Sequence, residues 1–225
     1  TNMIRLYDKD FIRINPTAKA SAMFKAIPSE LTRNSSRYQV ASVTENGRAN
    51  RLLETITNMG ESMVVNMAYH ANDPGPGMAF HKDTSTFKMF VGDTGLFVTL
   101  AFWDKEFTDN VIYQKLLTDK LSKDLGYVYE NVVAQMLVAS GNELYYHTFP
   151  TESGKHRYEV DFLIPDGDKV VPIEVKSSGY KAHVSLDAFC TKFSSRVSRP
   201  YLIYTKDLRK EGNLLYLPVY MTMFL

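Results

Sequence analysis

The sequence predicts a mixed α/β chain, of the α+β or α/β class, in which a mixed sheet is flanked by helices. Three observations carry this expectation. From residue 124 onward the hydrophobic pattern runs helix, three strands, helix, strand, strand. Within it, Tyr158 to Lys176 (YEVDFLIPDGDKVVPIEVK) reads as two strands joined by a Pro-Asp-Gly-Asp turn. The first half instead strings short helical patterns before a two-stranded hairpin with a Pro/Gly-rich loop, which sets it apart.

A chain of 225 residues has room for one large domain or two small ones, and the pattern change divides it into segments 1–104 and 105–225. Apolar residues make up 44% and charged residues 23%, an ordinary globular balance that argues against disorder. A net charge of +1 leaves no overall basic footprint. Locally, Lys181 to Lys210 carries seven bases against two acids. The single cysteine, Cys190, excludes an intramolecular disulfide and a cysteine-based zinc site, and its apolar helical surroundings mark it as a core residue. No apolar run approaches the roughly 18 residues that span a bilayer, and no stretch resembles a signal peptide, so a cytoplasmic location without a membrane partner is expected. No GxxxxGK[ST] loop is present to cradle a nucleotide.

In chain order, residues 1–16 carry mixed strand and loop signals. Thr17 caps a short helix through Ala26, and Ile27-Pro28-Ser29 restarts the chain. A stronger helix follows Ser42 to Glu45, with Leu52, Leu53, Ile56 and Met59 at helical spacing and Gly60 as its stop. Met63 to Tyr69 and Phe87 to Val91 form the hairpin strands. This order is the outline of a winged helix-turn-helix, whose longer helix, carrying Arg48 and Arg51, would face DNA or another protein. An exposed, merely solvated helix would carry the same residues. His70 and His81 flank the Pro/Gly loop as surface histidines, too isolated for a metal site. Asp93 to Trp103 continues as an apolar helix.

From Asp124 to Ala139 the apolar positions make one helical face, and Glu130 lies at its margin. Gly126, one turn earlier, would let the backbone approach a neighbouring strand. Strand Leu144 to Phe149 precedes the Tyr158–Lys176 hairpin. Its first strand alternates Tyr158, Val160, Phe162 and Ile164 with Glu159, Asp161 and Leu163; its second puts Val171, Ile173 and Val175 opposite Glu174 and Lys176. A helix over Ser185 to Phe193 and strands Tyr201 to Thr205 and Leu214 to Leu217 complete the pattern.

Asp161, Glu174 and Lys176 thus converge on one surface, with Glu130 close by. Carboxylates from a helix edge and two adjacent strands suit a hard divalent cation, and Mg²⁺ is often held by one or two of them plus a substrate phosphate. Asp161, Glu174 and Glu130 are the candidate metal ligands, Glu130 binding through water or positioning the lysine, and Lys176 orients or helps deprotonate the attacking water or stabilises charge on phosphorus. Lys192 and Arg196 are candidate contacts to nucleic-acid phosphates. A structural ion pair between Glu174 and Lys176 is the plainer alternative.

In this order, Glu130, Val160-Asp161 and Glu174-Val175-Lys176 resemble the PD-(D/E)XK nuclease superfamily, with valine where the motif begins with proline and a separation of 174 − 161 = 13 residues. FKMFVGDTGLF (Phe87 to Phe97), GYVYENVVAQML (Gly126 to Leu137), YEVDFLI and IEVKSS (Ile173 to Ser178) further resemble the C-terminal region of a large bacterial and archaeal family of AAA-type P-loop ATPases. That resemblance implies a winged-helix segment followed by a nuclease-like domain. It also implies an ATPase domain outside these residues as partner, and ATP use only through that domain. Two functions follow as expectations: Mg²⁺-dependent hydrolysis of nucleic acid, or a non-catalytic nucleic-acid- or protein-binding module that serves the ATPase.

Overall fold

Eight strands pair into one continuous mixed sheet, in the order β2-β1-β3-β4-β5-β6-β8-β7. The computed structural model describes residues 2–15, 17–33, 36–42, 52–101 and 126–225. Helices α1 (Asn2–Ile14), α2 (Lys19–Thr32) and α3 (Leu53–Glu61) lead into β1 (Val65–Ala71) and β2 (Lys82–Val91), and α4 (Thr94–Ala101) follows. Helix α5 (Gly126–Ala139) then precedes β3 (Leu144–Pro150), β4 (Arg157–Asp166) and β5 (Lys169–Val175). Helix α6 (Val184–Lys192), β6 (Tyr201–Tyr204), β7 (Arg209–Glu211), β8 (Leu214–Pro218) and a 3-10 turn over Val219–Phe224 complete the described chain.

Apolar surface is buried on both sides of the sheet. On one face Val133, Ala134 and Leu137 of α5 pack against Phe162, Ile164, Val171 and Ile173. On the other, Phe189 of α6 packs on Tyr145, Val160, Leu163 and Val170. Strands β4 and β5 are therefore central, and β5 is buried on both faces, which is why it reads as VVPIEV with little polar alternation. The N-terminal helices form their own cluster around Phe24, Ile27, Ile56 and Met59, closed by Phe87 and Met89 of β2.

Several local expectations change. Residues 2–14 are helical, because Ile4 and Phe11 lie on one buried face of a 3.6-residue period. Helix α2 runs through Pro28 instead of stopping there. Its buried stripe of Ala20, Met23, Phe24 and Ile27 continues to Pro28 and Glu30, and that packing outweighs the lost hydrogen bond. The hairpin assigned to a wing extends the main sheet. Strand β1 pairs in parallel with β3 from Ala68↔Leu144 to His70↔Tyr146, so the hairpin and the later strands share one sheet. Arg48 and Arg51 lie outside the described residues. Gly126 is not needed for close approach: a Cβ there would meet Ser177 Oγ at 3.6 Å, an ordinary contact.

The change that bears most on the site is in β4. Tyr145 pairs with Leu163 and His147 with Val160, so Tyr146 stands opposite two residues, Asp161 and Phe162. This β-bulge breaks the period-2 alternation. Val160 and Leu163 pack beneath α6 while Phe162 and Ile164 pack beneath α5, not all four even positions on one face. Among the described residues no helix is long and apolar enough to cross a membrane.

Candidate functional site

The β4–β5 ladder runs from Asp166↔Lys169 to Phe162↔Ile173. Beyond that pair a side chain replaces the backbone acceptor, and the Val175 N–H donates to Asp161 Oδ2 at 2.8 Å. The two strands fork there, just after the bulge. On its other side β5 stays in register with β6, where Glu174 pairs with Leu202 and the Lys176 N–H donates to Ile203 O at 2.8 Å. Rigid pairing on one side and a fork on the other hold Glu174 and Lys176 at the sheet's opening. Lys176 Nζ donates to Glu174 Oε1 at 2.7 Å. Glu174 Oε2 is buried and has no hydrogen-bond partner among the described residues.

Helix α5 brings Glu130 to the same place, as its position at the edge of the apolar face requires. Its carboxylate lies 3.9 Å from an ammonium group that the sequence reading did not select, Lys88 of β2. Lys88 is 7% exposed, pairs closely with Glu159 of β4, and lies 5.4 Å from the centre of the Tyr146 ring. Among the described residues, four carboxyl groups (Glu130, Glu159, Asp161, Glu174) thus share one half-buried space with two ammonium groups (Lys88, Lys176), an excess of two acids.

Each group responds as this balance dictates. Burial, then Glu174 and Glu130, push the Asp161 carboxyl well above the usual range, and Lys88 opposes them only in part. Burial also raises Glu130, against Lys88 and Lys176 and with Glu159 adding to the rise. Glu174 is raised by burial, less the attraction of Lys176. For the lysines burial works downward, but the surrounding carboxylates outweigh it. Lys88 is held above its ordinary value chiefly by Glu159 and Glu130, and Lys176 chiefly by Glu174.

All four residues expected from the sequence therefore meet, joined by Glu159 and by the unforeseen Lys88. The signal for Lys88 was its setting: a lysine inside Phe87-Lys88-Met89-Phe90, a run buried on both faces, needs an acid to receive it. Lys192 and Arg196 are placed elsewhere. Lys192 Nζ lies 5.1 Å from the Phe149 ring centre, and Arg196 pairs with Asp73. His70 is not a plain surface residue, since its ring stacks on His147 at 5.4 Å. Cys190 is half-buried, and burial raises its thiol to about 11, as a packed and unreactive side chain requires. Among the described residues no group of three or more His, Cys, Asp or Glu side chains is set to hold a metal ion.

The acids, the forked hairpin and the flanking helix all fall within one stretch. Residues 125–221 match the family model of a domain of unknown function, DUF4143. Such domains sit C-terminal to AAA-type ATPase domains. Searches of curated proteins and of solved structures give no match. The DUF4143 stretch contains Glu130, Glu159, Asp161, Glu174 and Lys176, whereas Lys88 lies 37 residues before its start (125 − 88 = 37). The charge set within the matched stretch is completed by a strand from outside it.

Proposed function

We propose that the acid–lysine cluster is the site of a Mg²⁺-dependent phosphodiesterase of the PD-(D/E)XK type, acting on nucleic acid in the service of an AAA-type ATPase domain. The observation that carries this reading is the orphaned Glu174 Oε2, buried beside Asp161 in a space with an excess of two acids among the described residues. A buried carboxylate oxygen without a partner is costly unless a proton or a cation meets it. A dication would neutralise the excess, and Mg²⁺ needs only one or two carboxylates, with water and substrate phosphate supplying the rest. Asp161 and Glu174 fit that requirement and Glu130 is near enough to serve through water.

When bound, the metal ion lowers the pKa of its water and polarises the phosphoryl group. Lys176, kept protonated by Glu174, acts as a fixed positive donor to the phosphate oxygens and does not serve as a base. Glu130, whose affinity for a proton is raised and which keeps 26% of its side chain in solvent, takes the proton from the attacking water. Asp161 is oriented by the Val175 N–H, so one oxygen is fixed while the other faces the cluster.

Cleavage of labelled single-stranded, duplex and branched nucleic acid in MgCl₂ tests this, with Asp161→Asn and EDTA as controls. Equal rates for wild type and Asp161→Asn, or no cleavage of any substrate, would discard it. The second reading, a non-catalytic binding module, is favoured by one observation: Lys88 already places a positive charge between Glu159 and Glu130 from within. Binding without cleavage, and no thermal stabilisation by Mg²⁺, would select that reading.

A further inference from the structure

The sheet face that carries the acids continues past Glu159. Thr148 of β3 pairs directly with Glu159, and Arg157 stands two residues before it on β4. At about 3.4 Å per residue this places Arg157 about 7 Å from Glu159, the near edge of the acid cluster, and about 14 Å along the strand from Asp161. Arg157, Thr148 and His70 border a cavity of about 420 Å³ that Arg37 and Asp83 also line.

The cavity holds a guanidinium prepared for an anion. Arg157 Nε donates to Thr148 Oγ1 at 3.1 Å, and Nη2 donates to Thr148 O at 2.8 Å and to Oγ1 at 3.0 Å. Nη1 has no hydrogen-bond partner among the described residues. A guanidinium fixed by two of its nitrogens offers the third with little rotamer entropy left to lose. Thr148 is itself anchored: its N–H donates to His70 Nε2 at 3.2 Å, which leaves the ring proton on Nδ1, 3.2 Å from Asn72 Oδ1.

Arg37 brings a second guanidinium to the cavity, and among the described lining residues the one carboxylate, Asp83, already accepts from the Ser85 N–H at 2.8 Å and the Ser85 hydroxyl at 2.6 Å. A single ring separates the cavity from the acids. Tyr146 has the Lys88 ammonium 5.4 Å from its centre and the His70 ring 5.3 Å away, edge-on.

We propose that this cavity is a phosphate subsite, in which Arg157 and Arg37 hold the backbone phosphate neighbouring the one at the acid cluster in a single-stranded nucleic acid. The choice of a nucleic-acid strand as ligand rests on the phosphodiesterase reading above. The test uses the whole 225-residue chain and a fluorescein-labelled single-stranded DNA 12-mer in EDTA, where binding is read by anisotropy across a salt series. Each lost phosphate contact flattens the plot of log K against log salt by about 0.7 for a single strand. Arg157→Gln and Arg37→Gln should each do so, and the double variant should flatten it by about 1.4. Arg157→Lys should keep most of the slope, and a neutral methylphosphonate 12-mer should bind wild type and double variant alike. An unchanged slope in the double variant, folded by circular dichroism, overturns the subsite. So does failure of the wild type to bind at low salt. Cleavage in MgCl₂ is scored separately. Arginine-dependent binding without cleavage sinks the phosphodiesterase and leaves the subsite standing, and cleavage with unaltered slopes does the reverse.

Discussion

Replacing Lys88 by methionine keeps most of the side-chain volume and deletes a charge where β2 faces β4. The ammonium is 7% exposed and meets two carboxylates, Glu159 in close contact and Glu130 at 3.9 Å. Removing one partner of a buried pair costs about 3–5 kcal/mol, because the other charge is stranded. Glu159 and Glu130 keep 25% and 26% of their side chains in solvent, so water recovers part of the loss and the lower end, about 3 kcal/mol, applies. With an m-value of about 3 kcal/mol per molar urea, the unfolding midpoint should fall by about 1 M. Because the folded pKa of Lys88 is raised, its stabilisation is fully present below the unfolded lysine value of about 10.4 and is lost only as pH climbs through the folded value, so pH 7 reads all of it. The penalty lies in stranded charge, so a second change, Glu159→Gln, should return about 2 kcal/mol of it in a double-mutant cycle. Urea unfolding followed by circular dichroism measures all four states of the cycle. A cost below about 1 kcal/mol for Lys88→Met, or a double variant no more stable than the single, would refute the coupling between β2 and the acid cluster.

Three further outcomes are expected. Lys176→Met should lower Mg²⁺-dependent cleavage by about 100-fold or more while the circular dichroism spectrum is retained, since it removes a donor aimed at developing phosphate charge. Asp161, Glu130 and Glu174 bind protons more tightly folded than unfolded, so between the unfolded values near 4 and the raised folded ones stability falls as pH rises; melts in EDTA should show that slope, and MgCl₂ near neutral pH should recover the loss. Asn131→Leu should cost about 3 kcal/mol in urea unfolding, because Asn131 Oδ1 accepts the buried Val91 N–H at 2.8 Å and its Nδ2 donates to Val91 O at 3.0 Å.

Much of the fold from α5 onward was legible because local pattern and tertiary role agree there. Leu144 to Pro150, Tyr201 to Tyr204 and Leu214 to Pro218 are apolar runs bounded by turn residues, and each is a strand. The N-terminal half was less legible, for two physical reasons. Helix α1 has no acidic residue in its first turn, and the spacing of Ile4 and Phe11 is what marks it. The β1–β3 pairing joins segments more than seventy residues apart, and no local pattern encodes a parallel partner. Asn131, fully buried on α5, owes its place to the Val91 backbone, which no spacing rule sets beside it.

Glu159 and Asp161 show how the site itself exceeds what alternation can say. They share a parity, and motif matching alone favours Asp161 and sets Glu159 aside. The bulge opposite Tyr146 separates their work. Glu159 lies before it, in regular pairing with Thr148, and receives Lys88 from the N-terminal segment. Asp161 lies within it, released from the ladder, and its carboxylate turns to the Val175 N–H and toward Glu174. One acid therefore fastens the two halves of the sheet, and the other is left short of counter-charge at the fork. If the bulge were straightened with no residue removed, strict alternation after Val160 would carry Phe162 and Ile164 out of the α5 core, so the fold would lose packing. The same apolar contacts that fix the core thus keep Asp161 where a cation is most wanted.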